Sequence, residues 1–525
     1  MLHKIKSISA AVSNFDLQKV LMKLPIIASG GERRLFTQLL LLNLIAFGMF
    51  VTHHMLHNHT PRFPWIAESD QLFAGRWFNI PLIHINYLAD MPIYGPLIGI
   101  VFSILSGMLV LKIWRLSLSA SEQFVTLGLL TAFPISLVYF YYTYQTPLFC
   151  IALLFAAAAM LTVSRFTAWR IALGAAIAML AFASYQPSVS VMATIAVSAF
   201  IADLARDEGA KTLEAVKTLV ARTLSIGVGA ILYRTSLTIL DIKISKATST
   251  VALEDQPARI VKVVQKSFEH LTTTQPDLLS FMKTLLTVLL VAAVVAAVAK
   301  TRRRLASAAL IMLASPVLII ASKAMFLLSP DNGFFSYRYN MAMAFMHAFS
   351  FALLIHCLGL RLLRSCAFAL GAFLLLRFVQ ADLVRQEVLY RGEQHDLALA
   401  NRILSRMEEL PDLDVAKTYD LVRIGKYSTF RQTALSSNGE KSDTYGDSHM
   451  DNGEVTDRWT DESVFVLLGT KIKFEFPGLD TTRSTDPNFL QKETDAHKTL
   501  LAGRKPWPDA SSVFIHDDTI YVYMN

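Results

Sequence analysis

The chain has 525 residues, 53% of them hydrophobic and only 17% charged, with a mean hydropathy of +0.43. That is too apolar for one soluble domain of this length, so lipid is its main solvent. The net charge of +8 comes from 49 Lys+Arg against 41 Asp+Glu, but the basic residues sit as short clusters between apolar runs, which argues against nucleic acid as a partner.

Residues 1–34 read as a retained cytoplasmic amphipathic segment, because no long apolar stretch is followed by a small-residue cleavage site. Runs long enough to cross about 30 Å of hydrocarbon then follow at 35–55, 91–114, 123–139, 147–163, 169–183, 187–204, 219–240, 282–299, 305–328, 341–360 and 366–380. The fold class expected is mostly α: a polytopic helical membrane protein of about eleven spans, with a small α+β domain after them. The fifth and sixth runs, parted by Ser184-Tyr185-Gln186, form a helical hairpin. Lys and Arg in short links mark the cytoplasmic side. By that rule the N-terminus and the links at 112–115, 165–170, 206–222, 300–304 and 361–364 are cytoplasmic. The loops at 56–90, 141–146, 241–281 and 329–340 then face outward, as does everything after residue 380.

The segment 381–525 opens with a helical pattern at 396–410 and passes through a Ser/Asp/Gly-rich stretch. Its short alternating runs SVFVLLG, KIKFEF and TIYVYM are expected to be strands. The three cysteines, Cys150, Cys357 and Cys366, lie in or beside apolar runs and read as packing residues.

The first outward loop is the most informative segment. Glu68 and Asp70 follow an apolar patch (Phe63, Trp65, Ile66) and precede Gly75-Arg76-Trp77-Phe78. A partly desolvated carboxylate beside an arginine suits a general base; equally, Ser69 or Asp70 suits the cap of a helix beginning at Gln71, and Arg76-Trp77 an interfacial anchor. Lys323, Tyr337 and Arg338 close the ninth run and its loop. Cations on the outer side run against the positive-inside bias, so they fit a phosphate head group or, alternatively, snorkelling anchors. Arg234 is an intramembrane charge expected to face a polar cavity, with Asp241 as a possible structural partner. Tyr144, Gln145, Tyr185 and Gln186 place polar aromatic and amide groups at two outer helix ends, as a belt or as a sugar groove. Nucleotide-binding loops and zinc signatures are absent.

The order of one span, an acidic outer loop, Gly75-Arg76-Trp77-Phe78 and then Pro92 resembles the Gtr-type serotype-converting glucosyltransferases, polytopic enzymes of the GT-C class. The end of the chain, Lys505-Pro506-Trp507-Pro508 before VFIHDDTIYVYM, resembles the tail of that family. The resemblance implies transfer of a hexose, typically glucose, from a polyprenyl-phosphate donor such as undecaprenyl-phosphate glucose. The acceptor would be O-antigen of lipopolysaccharide at the periplasmic face of the bacterial inner membrane. It places the catalytic carboxylate at Glu68 or Asp70, with Arg76, Lys323, Arg338 and Tyr337 on the donor phosphate. Tyr144, Gln145, Tyr185, Gln186 and Arg234 are left as a substrate groove. The expected organisation is a cytoplasmic segment 1–34, a transferase domain 35–380 and a periplasmic domain 381–525. No metal or cofactor is indicated, although a divalent ion is compatible with the chemistry. The same cations and aromatics also fit a non-catalytic lipid-linked sugar flippase or polysaccharide exporter.

Overall fold

A computed structural model describes residues 29–53, 71–85, 93–140, 145–206, 212–243, 253–272, 280–329, 339–425, 468, 472–475 and 495–524. The chain divides into two compact units, with the break after Leu383.

The first unit is helical. Helix α1 (Gly30–Ala46) starts at a capping box in which Ser29 and Glu32 satisfy each other's backbone N–H groups. Glu32 also pairs with Lys112 at 2.8 Å, and Asn43 donates to Thr131 Oγ1 at 2.9 Å, which tie α1 to its neighbours. A break at Phe47 precedes the short α2 (Gly48–Thr52). Helices α3 (Asn79–Ile85) and α4 (Tyr94–Trp114) follow, and α4 is pinned by a bond from Trp114 Nε1 to Ser198 Oγ at 2.9 Å. Helix α5 (Ala120–Thr131) has a second capping box, Ser119 with Glu122, and Glu122 accepts two bonds from Arg364 at 2.6 and 2.7 Å. A 3₁₀ turn at Pro134–Ser136 bends the path by 45° into α6 (Leu137–Phe140). Proline has no N–H to give the preceding turn, so the helix cannot continue straight.

Helices α7 (Thr146–Thr162), α8 (Ala168–Ser184), α9 (Ser188–Ala205) and α10 (Thr212–Ile239) complete the next layer. The helices α8 and α10 approach closely because Gly174 and Gly229 face the partner helix. A Cβ on Gly229 would meet Ala178 Cβ at 2.8 Å, and one on Gly174 would meet Ser225 Oγ at 2.7 Å. Helices α11 (Gln256–Thr272), α12 (Ser280–Thr301), α13 (Leu305–Ala321), α14 (Met325–Leu328) and α15 (Ala342–Cys357) follow. The almost wholly buried α9 and α15 form the centre of this unit. Helix α16 (Arg361–Glu408) is 48 residues long and runs on past residue 380, where a domain boundary was expected.

Each expected apolar run carries helix, but the count of eleven spans does not carry over directly. Among the described residues, five helices are long and apolar enough to cross a membrane, or six with the bent α5–α6 pair as one; α7, α8, α13 and α15 are shorter, at 16 or 17 residues. Helices of that length rise about 25 Å. Runs that look continuous in hydropathy are interrupted at Phe47, Pro134 and Lys323, where backbone geometry or a buried polar group ends the helix. These helices make the chain a membrane protein.

The second unit holds a four-stranded mixed sheet in the order β2-β1-β4-β3, from β1 (Thr418–Ile424), β2 (Lys473–Glu475), β3 (Val513–His516) and β4 (Thr519–Tyr523). β1 is parallel to both β2 and β4, and β3–β4 is an antiparallel hairpin. Its two-residue turn, Asp517-Asp518, has φ of 46° and 58°, the twist that matches paired strands. Ile403, Met407, Tyr419, Leu421, Trp507, Ile520 and Val522 close a core beneath the sheet. Two expected strands, KIKFEF and TIYVYM, are present; SVFVLLG lies outside the described residues apart from Leu468, and β1 was not anticipated.

Candidate functional site

The Gly75-Arg76-Trp77-Phe78 segment is fixed by its own backbone before any side chain acts. Residues 71–73 form a helical turn that ends in a Schellman motif: Arg76 N–H bonds to Gln71 O at 2.7 Å and Gly75 N–H to Leu72 O at 2.8 Å. Gly75 has φ 75°, the left-handed conformation that position requires. Asn79 opens α3 and donates to Gln71 Oε1 at 2.8 Å and to Ser184 O at 2.9 Å, so both sides of the turn are tied to the end of α8. Trp77 Nε1 donates to Ser236 Oγ at 2.9 Å, and Phe78 N–H to Ala183 O at 3.2 Å.

Arg76 is thereby placed across three helix ends. Its guanidinium lies 5.0 Å from the Tyr185 ring centroid and 5.7 Å from that of Phe149. It donates to Gln145 Oε1 at 3.4 Å and to Gln186 Oε1 at 3.5 Å. Gln186 in turn donates to Tyr233 Oη at 2.9 Å and to Ala74 O, and Tyr233 donates to Gly75 O at 3.1 Å. Gln145, Tyr185 and Phe149 are buried, while Arg76 and Gln186 are partly open. The result is a half-buried cation on aromatic faces, gripped by neutral amides. Such a group can stabilise an anion or a sugar oxygen that arrives beside it.

Of the residues singled out in the sequence, Arg76, Gln145, Tyr185 and Gln186 come together in this cluster. Glu68, Asp70, Tyr144, Tyr337 and Arg338 lie outside the described residues. Arg234 is exposed on α10. Tyr233, one helical step of about 100° away, is the residue that turns toward the site. Lys323 is not a snorkelling group. It is 1% exposed, sits in the break between α13 and α14, and donates to His270 Nδ1 and Asn340 Oδ1.

Lys323 therefore belongs to a second polar cluster. Arg259 on α11 donates to the carbonyls of Phe326 and Ser329, both at 2.6 Å, and closes the same turn. The two clusters meet on the first turns of α9. Gln186 precedes that helix and holds Arg76, while Ser190 accepts from Met325 N–H at 2.8 Å, just beyond Lys323. Sequence reasoning missed Gln71, Asn79, Phe149, Tyr233, Arg259 and His270. Asn79, two residues beyond Trp77 at the opening of α3, carried the one local signal. Among the described residues no three of His, Cys, Asp and Glu gather as metal ligands.

No curated protein and no solved structure matches the chain. The family described as Glucosyl transferase GtrII matches residues 65–349, just over half of the chain, and this stretch takes in both clusters. The chain belongs to the GtrII glucosyl transferase family, and is a membrane glucosyltransferase.

Proposed function

We propose that the protein transfers glucose from a polyprenyl-phosphate-linked donor to an O-antigen acceptor at the periplasmic face of the bacterial inner membrane. The N-terminus is cytoplasmic and the C-terminal domain periplasmic in this reading. The observation that carries it is Arg76, locked at the ends of three helices a few residues after Glu68 and Asp70. Glu68 or Asp70 acts as general base and takes the proton from an acceptor hydroxyl as its oxygen attacks the anomeric carbon. The bond from that carbon to the donor phosphate breaks, and the phosphate leaves as an anion that needs no acid. Arg76, Lys323, Arg338 and Tyr337 stabilise its charge, and Tyr144, Gln145, Tyr185 and Gln186 border the sugar. The family match favours covalent transfer over a flippase or exporter that binds the same lipid-linked sugar.

Single Glu68→Ala and Asp70→Ala variants test this, with O-antigen glucosylation in membranes as the readout. One of the two is expected to lower transfer by about 10²- to 10⁴-fold. Full glucosylation by both variants would remove the carboxylates from the mechanism.

A further inference from the structure

Helix α11 lies in what reads as a plain outer link, yet it carries charges along its length and a large apolar surface as well. On a wheel of about 100° per residue its side chains fall into three sectors, where a helix between protein and water has two. Arg259, Val263, Ser267 and His270 share the first and are buried against the unit. The second holds Ile260, Val261, Val264 and Phe268; Val264 is half-buried, and the other three are 49%, 67% and 41% exposed in that order. The third holds Lys262, Gln265, Lys266 and Glu269, with Lys266 and Glu269 paired at 2.7 Å.

A loop helix in water gains nothing from an open apolar stripe, and a membrane span cannot carry Lys262, Lys266 and Glu269 on one side of it. Three sectors suit a helix that borders protein, hydrocarbon and water at once, lying in the plane of a membrane surface against the flank of the protein. The neighbouring helices show where the hydrocarbon is. Helix α11 packs against α12 and α13. On α12 Val288, Val291 and Val295, and on α13 Met312 and Leu313, are each more than half exposed. Such rows are the lipid face of a membrane unit, so hydrocarbon surrounds the helices on which α11 rests. The two lysines and one glutamate of the third sector leave a basic edge, which suits the anionic head groups of a membrane surface.

We propose that α11 is an in-plane interfacial helix, with Ile260, Val261, Val264 and Phe268 sunk in the hydrocarbon at one surface of the bilayer and its charged sector in the water beside them. The helix then sets a depth. From its buried sector Arg259 holds the carbonyls of Phe326 and Ser329, and His270 accepts from Lys323. The Lys323 cluster therefore lies at the membrane boundary and not in the middle of the bilayer. None of this depends on which sugar donor the enzyme uses.

The test uses the full-length protein in vesicles of phosphatidylethanolamine and phosphatidylglycerol. Nitroxide labels are attached through Val261→Cys, Phe268→Cys and Gln265→Cys, one at a time, in a chain whose three native cysteines are replaced by alanine. The ratio of collisions with dissolved oxygen to collisions with an aqueous nickel chelate is expected to be about tenfold higher at 261 and 268 than at 265. The same ratio at all three positions would put the stripe in water, and access by neither reagent at 261 and 268 would put it under protein; each of these overturns the assignment. A second measurement on wild type needs no variant to fold. An apolar carbene photolabel dissolved in the bilayer is expected to mark Ile260, Val261 or Phe268 and to spare Gln265 and Lys266. Absence of label from residues 256–272, or equal label on both sectors, would overturn the in-plane placement.

Discussion

At the residue scale, the site turns on one arginine whose position is over-determined. Arg76 is fixed by a left-handed glycine before it, an asparagine clamp after it and two aromatic rings beside it. Arg76→Ala is expected to lower glucosyl transfer by about 10- to 100-fold, the worth of one or two charge-assisted bonds. Arg76→Lys keeps the charge but not the planar fork and is expected to recover only part of that activity; transfer rates in membranes normalised to protein level check both. The four members Arg76, Gln145, Tyr185 and Gln186 were legible in the sequence because polar groups at helix ends stand out against apolar runs. Hydropathy gives depth along a helix and not rotation about it, so it did not single out Tyr233, which faces the site, from the exposed Arg234 beside it.

At the element scale, helix ends matter more than helix middles. Gly75→Ala places a Cβ at φ 75°, which costs about 1 to 2 kcal/mol, and is expected to lower both the melting temperature and transfer by disordering the Schellman turn. The first turn of α5 is pinned by Arg364, which donates to both oxygens of the buried Glu122 carboxylate at 2.6 and 2.7 Å. Helix α11 escaped sequence reading because its three faces average to neither apolar nor polar. The interrupted runs at Phe47, Pro134 and Lys323 escaped because a break of a few residues hardly alters a window of about 19.

At the scale of the whole molecule, the two units differ in what holds them. The second unit has a core of its own, in which Trp507 is 5% exposed and lies under the Arg402 guanidinium at 5.2 Å. A fragment of residues 384–525 is expected to melt cooperatively, and Trp507→Ala to destabilise it by about 3 to 5 kcal/mol, measured by urea titration. The hairpin of this unit was legible from its alternating residues and its acidic turn. β1 was not, because TYDLVRI has no turn signal beside it and gains its place only from two parallel partners distant in sequence. The family match ends at residue 349, before α16 and the sheet, so the membrane unit alone carries the glucosyltransferase assignment.

The amides that hold Arg76 have a further consequence. Gln145 and Gln186 accept its bonds without cancelling its field, so among the described residues the guanidinium keeps a full unit of charge to offer a ligand. Glutamate at Gln145 has nearly the same shape as the amide and sets a carboxylate against that charge, whereas at Gln186 it would also put an oxygen against Ala74 O, to which the amide donates. Gln145→Glu is expected to leave the fold intact, by melting temperature, and to silence transfer, so that the electrostatic role of the site can be separated from its architecture by exchanging one amide for a carboxylate.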